Sequence, residues 1–196
     1  MAGSGRLDQS GASMSTMISR LRSVPYSSQV SLEALADIGE LKYLGRKIGR
    51  VPRGGRARVP LKLALSLMES GAARPDASAL PTLSEINRLA WLETKSDELQ
   101  HVDKEFYVRA YLLVRSLSSE GEEAERRLKF VKAILMDIVR SRLQKIVRAA
   151  VSDPKPSKEL LGNLALEEEA LYLAVCEVVG SWLEHMRRVV EGVAYG

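Results

Sequence analysis

The chain has 196 residues, of which 45% are hydrophobic and 28% charged, so it is long enough to bury a sizeable core. Its single cysteine excludes an internal disulfide and any multi-cysteine metal site, and no apolar run reaches the roughly 20 residues of a membrane helix. The formal net charge is +4, but the first 79 residues hold 12 Lys and Arg against 6 Asp and Glu, whereas the rest hold 17 against 19. We therefore expect a cytoplasmic protein whose basic character belongs to its N-terminal part.

The first segment is rich in glycine and serine and nearly devoid of bulky apolar residues. Such a composition cannot repay the entropy of ordering, so we expect residues 1–28 to form a disordered or poorly ordered tail. Met14 and Met17 are alternative start positions that would shorten this tail.

Residues 29–76 are predicted to form a small β-rich basic domain, because short apolar segments lie between glycines and turn residues. Gly54-Gly55 predicts a tight hairpin turn between strands at 47–51 and 56–59. After Pro60 the apolar residues recur at helical spacing, and Gly71 is placed to end that helix as a C-cap. The stretch 71–81 has many small residues and two prolines, which predicts an exposed connection with a domain boundary near Asp76.

Residues 77–196 show helical periodicity and predict a bundle of about four main helices. Ser84 is a candidate N-cap for the first of them, and Asp103 for the second. The third is expected over about Glu122–Val151 and the last over about Leu166–Val190. The fold class is thus mainly α, with a C-terminal helical bundle preceded by a small β-rich α+β module.

The third helix carries an apolar seam whose rhythm, continued toward the C-terminus, reaches two cations, Arg142 and Lys145. Either these side chains reach solvent, or they pair with carboxylates inside the bundle or across a subunit contact. The last helix carries its own apolar side, which consists of Leu171, Val175, Val178, Trp182, Met186 and Val189. We take these two helices as too apolar for a solitary bundle and predict an obligate oligomer.

The segment from residue 42 to residue 62 contains no acidic residue. Its cations are candidate contacts for a nucleic-acid backbone, since phosphate binding needs clustered Lys and Arg. Tyr43 is the only aromatic residue among them, so no base-stacking platform is indicated. The possible DNA-backbone contacts are Lys42, Arg46, Lys47, Arg50, Arg53, Arg56 and Arg58.

No catalytic, metal or cofactor constellation is recognisable, so we predict a non-catalytic protein without cofactors. His101 and His185 have no partner at metal-ligand spacing. Cys176 lies in an apolar run, where a small buried residue is expected rather than a reactive thiol. A rival interpretation, an enzyme that uses carboxylates such as Asp97, Glu98 and Asp103, has no cofactor motif or paired base to support it.

Four segments in order resemble the GINS family of replication-fork subunits. Val59–Gly71 resembles the helix-bearing end of the family's small β-rich domain, and Glu93–Leu99 followed by Phe106-Tyr107 resembles the first helices of its α-domain. Arg140–Ile146 is similar to its Arg-rich third helix, and Leu164–Tyr172 to the entry of its final helix. The resemblance extends over about residues 32–190. Two departures are an alanine at position 165, where the family often has a capping threonine, and a longer N-terminal tail.

The resemblance implies the archaeal subunit type in which the β-domain precedes the α-domain, and a 2:2 heterotetramer with the second subunit type. It implies a non-catalytic scaffold, nucleoid-associated, that bridges the MCM helicase and a RecJ-like DHH-family protein, touches primase and contacts DNA weakly and without sequence preference. A stand-alone DNA-binding protein that uses residues 42–62 is the alternative. Candidates for the subunit interface or for structural ion pairs are Arg140, Arg142, Lys145, Phe106, Tyr107 and Trp182.

Overall fold

A computed structural model describes residue 19 and residues 28–43, 46–117 and 121–193. Apart from residues 19 and 28, the expected disordered tail lies outside the described residues. The contacts divide the chain into two compact units. A strand-bearing unit comprises Val24–Trp91 and Glu105–Asp137, and a helical unit comprises Met1–Ser23, Leu92–Lys104 and Ile138–Gly196, each within its described residues. The predicted division into domains at 29–76 and 77–196 stays a prediction.

The strand-bearing unit is built on a strand that the sequence analysis did not single out, β1 (Gln29–Ala34). Its side chains alternate between half-buried and buried positions, which is the period-2 pattern of a strand with one face on a core. β1 is the centre of a three-stranded antiparallel sheet, between β4 (Arg56–Pro60) and β5 (Ala73–Pro75). Val30 lies opposite Val59 in that sheet.

A separate two-stranded sheet pairs β2 (Leu41–Tyr43) with β3 (Arg46–Ile48). The predicted hairpin between residues 47–51 and 56–59 is therefore wrong, because β3 pairs backward with β2 and β4 pairs with β1. The turn itself was predicted correctly: Gly54 has a φ of 76°, and the Gly55 amide donates to the Pro52 carbonyl at 2.8 Å. The chain turns there toward β1, since the Gly54 amide donates to the Ala34 carbonyl.

The helix predicted after Pro60 is confirmed as α1 (Leu61–Glu69). Gly71, with a φ of 71°, donates its amide to the carbonyl of Met68 and so ends the helix as expected. Leu61 and Ala64 are buried in the core of this unit. That core also contains buried side chains from the sheet and from a later helix, namely Val30, Leu32, Val59, Ala73, Val108 and Leu112.

The expected exposed connection at 71–81 is wrong over its first half, because residues 73–75 form β5 and Ala73, Pro75 and Asp76 are buried. A three-residue strand with a proline carries little sequence signal, and its pairing with β1 is set by residues about 40 positions away. Asp76 begins a 3-10 turn (Ala77–Ala79) by accepting a bond from the amide of Ser78. The hydrogen bond from the Ser78 hydroxyl, more than any other cause, lowers the pKa of Asp76.

The remaining elements are helices: α2 (Leu83–Lys95), α3 (Phe106–Leu117), α4 (Gly121–Ser152), the short α5 (Lys158–Gly162) and α6 (Leu166–Val190). The predicted spans of the two longest helices, α4 and α6, are confirmed. Ser84 does not cap α2 but lies inside it. Thr82 takes that role: its hydroxyl accepts from the amide of Glu85, whose carboxylate accepts from the Thr82 amide, which is a capping box.

The helical unit has its own core, formed by Leu99, Ile146, Ala150, Leu164, Tyr172 and Cys176. The expected burial of Cys176 is confirmed, since the residue is 2% exposed. Small strands before a run of helices confirm the predicted fold class. None of the helices over the described residues combines the length and apolarity needed to cross a membrane.

Candidate functional site

The most extensive polar site of the helical unit surrounds Arg142, which lies on α4 and is fully buried. All five N–H groups of its guanidinium have an acceptor. Nε and one terminal nitrogen hold Glu168 bidentately at 2.6 and 2.8 Å. The other donors reach the Glu93 carboxylate and two main-chain carbonyls, those of Gln100 at 2.8 Å and Asn163 at 3.1 Å. Desolvation of a cation is costly, so this complete set of partners is what allows Arg142 to be internal.

Glu93, near the end of α2, is 2% exposed and accepts from both cations that the sequence analysis named. One carboxylate oxygen accepts from Arg142 and from the Gln100 amide at 3.0 Å. The other accepts from the ammonium of Lys145. The two further Lys145 donors are used by the carbonyl of Glu93 at 2.8 Å and that of Glu98 at 2.9 Å. We call Glu93, Arg142, Lys145 and Glu168 the buried ion cluster.

The buried ion cluster also forms part of the start of α6. Glu168, which holds Arg142, accepts from the amide of Ala165 at 3.0 Å. This is one half of a capping box; the other half is missing because alanine has no side-chain acceptor. Next to it, Lys104 donates to Glu169 and to the carbonyls of Leu161 at 2.6 Å and Leu164 at 3.0 Å.

Glu167, in the first turn of α6, is the exception to this complete pairing. Its Oε2 is buried and finds no hydrogen-bond partner within the described parts of the chain. Burial is the main cause that raises the pKa of Glu167, and the neighbouring charge of Glu168 adds to it. In the folded chain the neutral form of this carboxyl is therefore favoured more than in the unfolded chain.

Large apolar side chains of the same unit face solvent on two helices. On α4, Leu143, Val147 and Val151 are 43%, 36% and 56% exposed and follow one another at intervals of four residues. On α6, Val178 and Trp182 are 52% and 59% exposed at the same interval. The remaining exposed apolar residues of α6 are Leu173, Leu183 and Val190.

The predicted apolar side of the last helix is only partly internal. Its first members, Leu171 and Val175, are half-buried against the core of the helical unit, whereas Val178 and Trp182 face solvent. The fully buried residues of α6 lie on a different line, at Glu168, Tyr172 and Cys176. The sequence pattern thus located an apolar face of α6 correctly, but it did not identify the helix positions that are buried in the core.

The other candidate interface residues lie on α3 and α4. Phe106 is buried and Tyr107 half-buried at the start of α3, with their rings edge-to-face at 5.1 Å. Arg140 is exposed on α4. Their role at a subunit interface stays a prediction.

The candidate DNA contacts are all in the strand-bearing unit, but not on one hairpin. Lys42 and Lys47 lie directly opposite each other on β2 and β3 and are exposed. Arg50 and Arg53 are exposed in the following loop. Three of the cations have carboxylate partners: Lys47 with Glu40 at 3.3 Å, Arg56 with Asp76 at 3.4 Å and Arg58 with Glu105 at 3.6 Å. The side chain of Arg46 lies outside the described residues.

Within the described residues, no group of three or more His, Cys, Asp or Glu side chains is placed to hold a metal ion. His101 instead lies within 3.1 Å of the Gly162 carbonyl through Nδ1. The carboxylates named for the rival enzyme, Asp97, Glu98 and Asp103, are exposed between α2 and α3.

Sequence reasoning missed the anionic half of the buried ion cluster. Glu93 appears in the sequence analysis only at the start of a segment that resembles the family's first helices, and Glu168 is not singled out there. Their partner lies 49 and 26 residues away along the chain, so helical periodicity could not connect them. The available signal was a glutamate at an apolar position of α2, seven residues after the buried Ile86.

The chain was also compared with known proteins. No curated protein matches it significantly. Residues 80–188, more than half of the chain, match the Sld5 family model, the GINS complex protein helical bundle domain. The match covers every residue of the buried ion cluster and the exposed apolar residues Leu143 to Leu183. The chain therefore belongs to the GINS family, whose members are subunits of a DNA replication complex.

Proposed function

We propose that this chain is a scaffold subunit that joins a second GINS subunit type in a 2:2 assembly and bridges the MCM helicase and a RecJ-like DHH-family protein. The family consists of non-catalytic scaffold proteins, and the proposed role involves no chemistry on a substrate. The β-rich module precedes the helices, which supports the archaeal subunit type with that domain order. Primase is a further proposed neighbour.

The observation that carries the proposal is the exposure of Val178 and Trp182 on α6, with Leu143, Val147 and Val151 on α4. A few anchors such as tryptophan carry most of the binding free energy at protein interfaces, and aliphatic neighbours exclude water from them. On a free surface a contiguous apolar patch favours aggregation. Because both helices fall in the segment that matches the family, these faces are where we place the contacts with other subunits.

Co-expression with the second subunit type from the same genome tests the assembly. Size-exclusion chromatography with light scattering should give the mass of two copies of each chain, and the complex should retrieve MCM subunits in a pull-down. A stable, folded monomer of this chain that does not bind the second subunit type would overturn the proposal. Retrieval of the tetramer without MCM or the RecJ-like protein would leave the assembly intact and remove the bridging role.

Weak DNA contact by the strand-bearing unit is a second candidate function. It is supported by Lys42 and Lys47, which are exposed and lie directly opposite each other on neighbouring strands. Lys47 also pairs with Glu40, so Lys42 is the cation of this pair with more charge to offer a phosphate. Arg50 and Arg53 add two exposed cations nearby in sequence. The ion pairs of Arg56 and Arg58 reduce the charge that β4 can offer.

A salt titration distinguishes this role from dedicated DNA binding. We expect duplex and single-stranded DNA to bind weakly and alike at low salt, and Lys42→Gln with Lys47→Gln to lower the slope of log affinity against log salt by about two. Binding that persists at physiological salt and depends on sequence would favour the stand-alone DNA-binding protein instead.

A further inference from the structure

The helical unit contains a groove of about 390 Å³ to which the proposed function assigns no role. Its walls come from the loop after α2, the C-terminal part of α4, the loop and short helix α5 that follow, and α6. Four apolar residues form its floor, of which Leu99 and Tyr172 are buried and Ala149 and Leu160 half-buried, while Ser157 and Asn163 add polar groups to the lining. A concave site with an apolar floor is the usual form of a site that accepts a side chain or small ligand.

The rim of the groove is acidic. Asp97, Glu98, Asp153 and Glu159 line it and are exposed. Across the residues that the structure describes, Asp97, Glu98 and Glu159 form no ion pair. The groove thus adds to the slight acidic excess of residues 80–196, which hold 19 Asp and Glu against 17 Lys and Arg.

The cations that line the groove do not cancel this charge. The three donors of Lys145 are already used by Glu93 and by two carbonyls, so Lys145 is neutralised from within the buried ion cluster. Lys155 remains, as one exposed cation beside four carboxylates. The groove therefore offers a negative field at its mouth and apolar surface below it.

We propose that this groove binds a segment of a partner protein in which a lysine or arginine adjoins an apolar side chain. The long stem of either cation fits an apolar floor while its charged end stays at the rim near Asp97, Glu98 and Glu159. None of the residues that line the groove is among the exposed apolar residues to which the proposed function assigns subunit contacts. The proposal therefore stands or falls independently of it.

The test uses the full-length chain and a fluorescein-labelled peptide with a Lys-Leu-Lys core between glycine and serine flanks, followed by fluorescence anisotropy. The groove variant carries Asp97→Asn, Glu98→Gln and Glu159→Gln. Its matched control carries Glu122→Gln, Glu123→Gln and Glu177→Gln, which remove the same charge from exposed positions elsewhere on α4 and α6. We expect the groove variant to bind about fivefold more weakly, because three charges beside the bound peptide are lost, and the control to change less than about twofold.

A second peptide with a Lys-Ser-Lys core tests the apolar floor and should bind several-fold more weakly than the first. Equal weakening in the groove variant and the control would show a general electrostatic effect and overturn the proposal. So would displacement of the peptide by Mg²⁺ at equivalent ionic strength, which would indicate a cation site, or affinity that depends on self-association of the chain. If the triple variant melts earlier than the control, Glu159→Gln alone must still weaken binding.

Discussion

Arg142 is a single buried residue that holds two carboxylates, so the stability of a variant depends on whether those partners are left unpaired. Buried ion pairs often do little better than apolar residues of similar volume, because desolvation offsets the attraction between the charges. Removal of one partner is different, since it leaves the other charges buried and unpaired. Arg142 holds both Glu93 and Glu168, so its removal leaves two buried carboxylates without this partner.

Replacement Arg142→Leu is therefore expected to destabilise the chain by about 3–5 kcal/mol, measured as the free energy of unfolding in urea. Arg148→Leu, on the same helix and exposed, is the matched control and should change stability by less than about 0.5 kcal/mol. Similar losses in the two variants would mean that the cluster is not formed as described.

The buried carboxyl of Glu167 should make the stability of the chain depend on pH. Burial raises its pKa above the ordinary value of 4.5, so the folded chain holds this proton more tightly than the unfolded chain does. Stability must then be lost as the pH rises from about 4.5 through the raised folded-state value. Glu167→Gln removes that loss. The variant is expected to be more stable than the parent near pH 7, with the difference vanishing below pH 4.5.

The measurement is urea unfolding of both chains across that pH range. Glu177→Gln, exposed on the same helix, is the control and should show no comparable trend. A difference between Glu167→Gln and the parent that is constant with pH would contradict the assignment of the effect to ionisation.

At the scale of elements, periodicity decided what could be predicted. The 32-residue α4 and the 25-residue α6 were located almost to the residue, because many turns of apolar spacing agree with each other. Of the three-residue strands, β3 was assigned to the wrong partner and β2 and β5 were given none, because pairing depends on contacts far along the chain. Arg142 was singled out because it continues the apolar seam of α4, whereas no such seam pointed to Glu93.

Thr82 caps the start of α2, where Ser84 was predicted as the cap, and two substitutions can test this difference. Thr82 closes the capping box with Glu85, and the hydrogen bond from the Thr82 amide is the main cause that lowers the pKa of Glu85. Thr82→Ala should cost about 1 kcal/mol of stability. Ser84→Ala should cost nothing or stabilise slightly, since Ser84 lies inside the helix where alanine is preferred. Thermal unfolding of the two variants distinguishes them, and the reverse order would restore Ser84 as the cap.

For the molecule as a whole, helical periodicity and the apolar sides of two helices predicted a helical interaction protein, and the exposed apolar residues of α4 and α6 agree with that interpretation. The identity of the partners has no counterpart in the sequence pattern, because an apolar face specifies area and shape but little chemistry. The acidic groove was missed as well, since its lining comes from four separate segments of the chain.

The exposed apolar face of α6 should be needed for assembly with the second subunit type. Val178→Ser combined with Trp182→Ser should abolish co-purification with the second subunit type, while the unfolding free energy of the isolated chain changes little, because both side chains already face solvent. Glu177→Ser, next to them on the helix and exposed, should leave the complex intact. A complex that survives the double substitution would place the interface elsewhere.

The single thiol of the chain has a practical consequence. Because Cys176 is enclosed by the core of the helical unit, an alkylating reagent can reach it only when that core opens, so the labelling rate reports the frequency of such openings. Partner subunits that dock on α6 should slow this reaction, and their dissociation should restore it. A mass spectrometer could thus follow assembly of the complex through one sulfur atom, without any engineered tag.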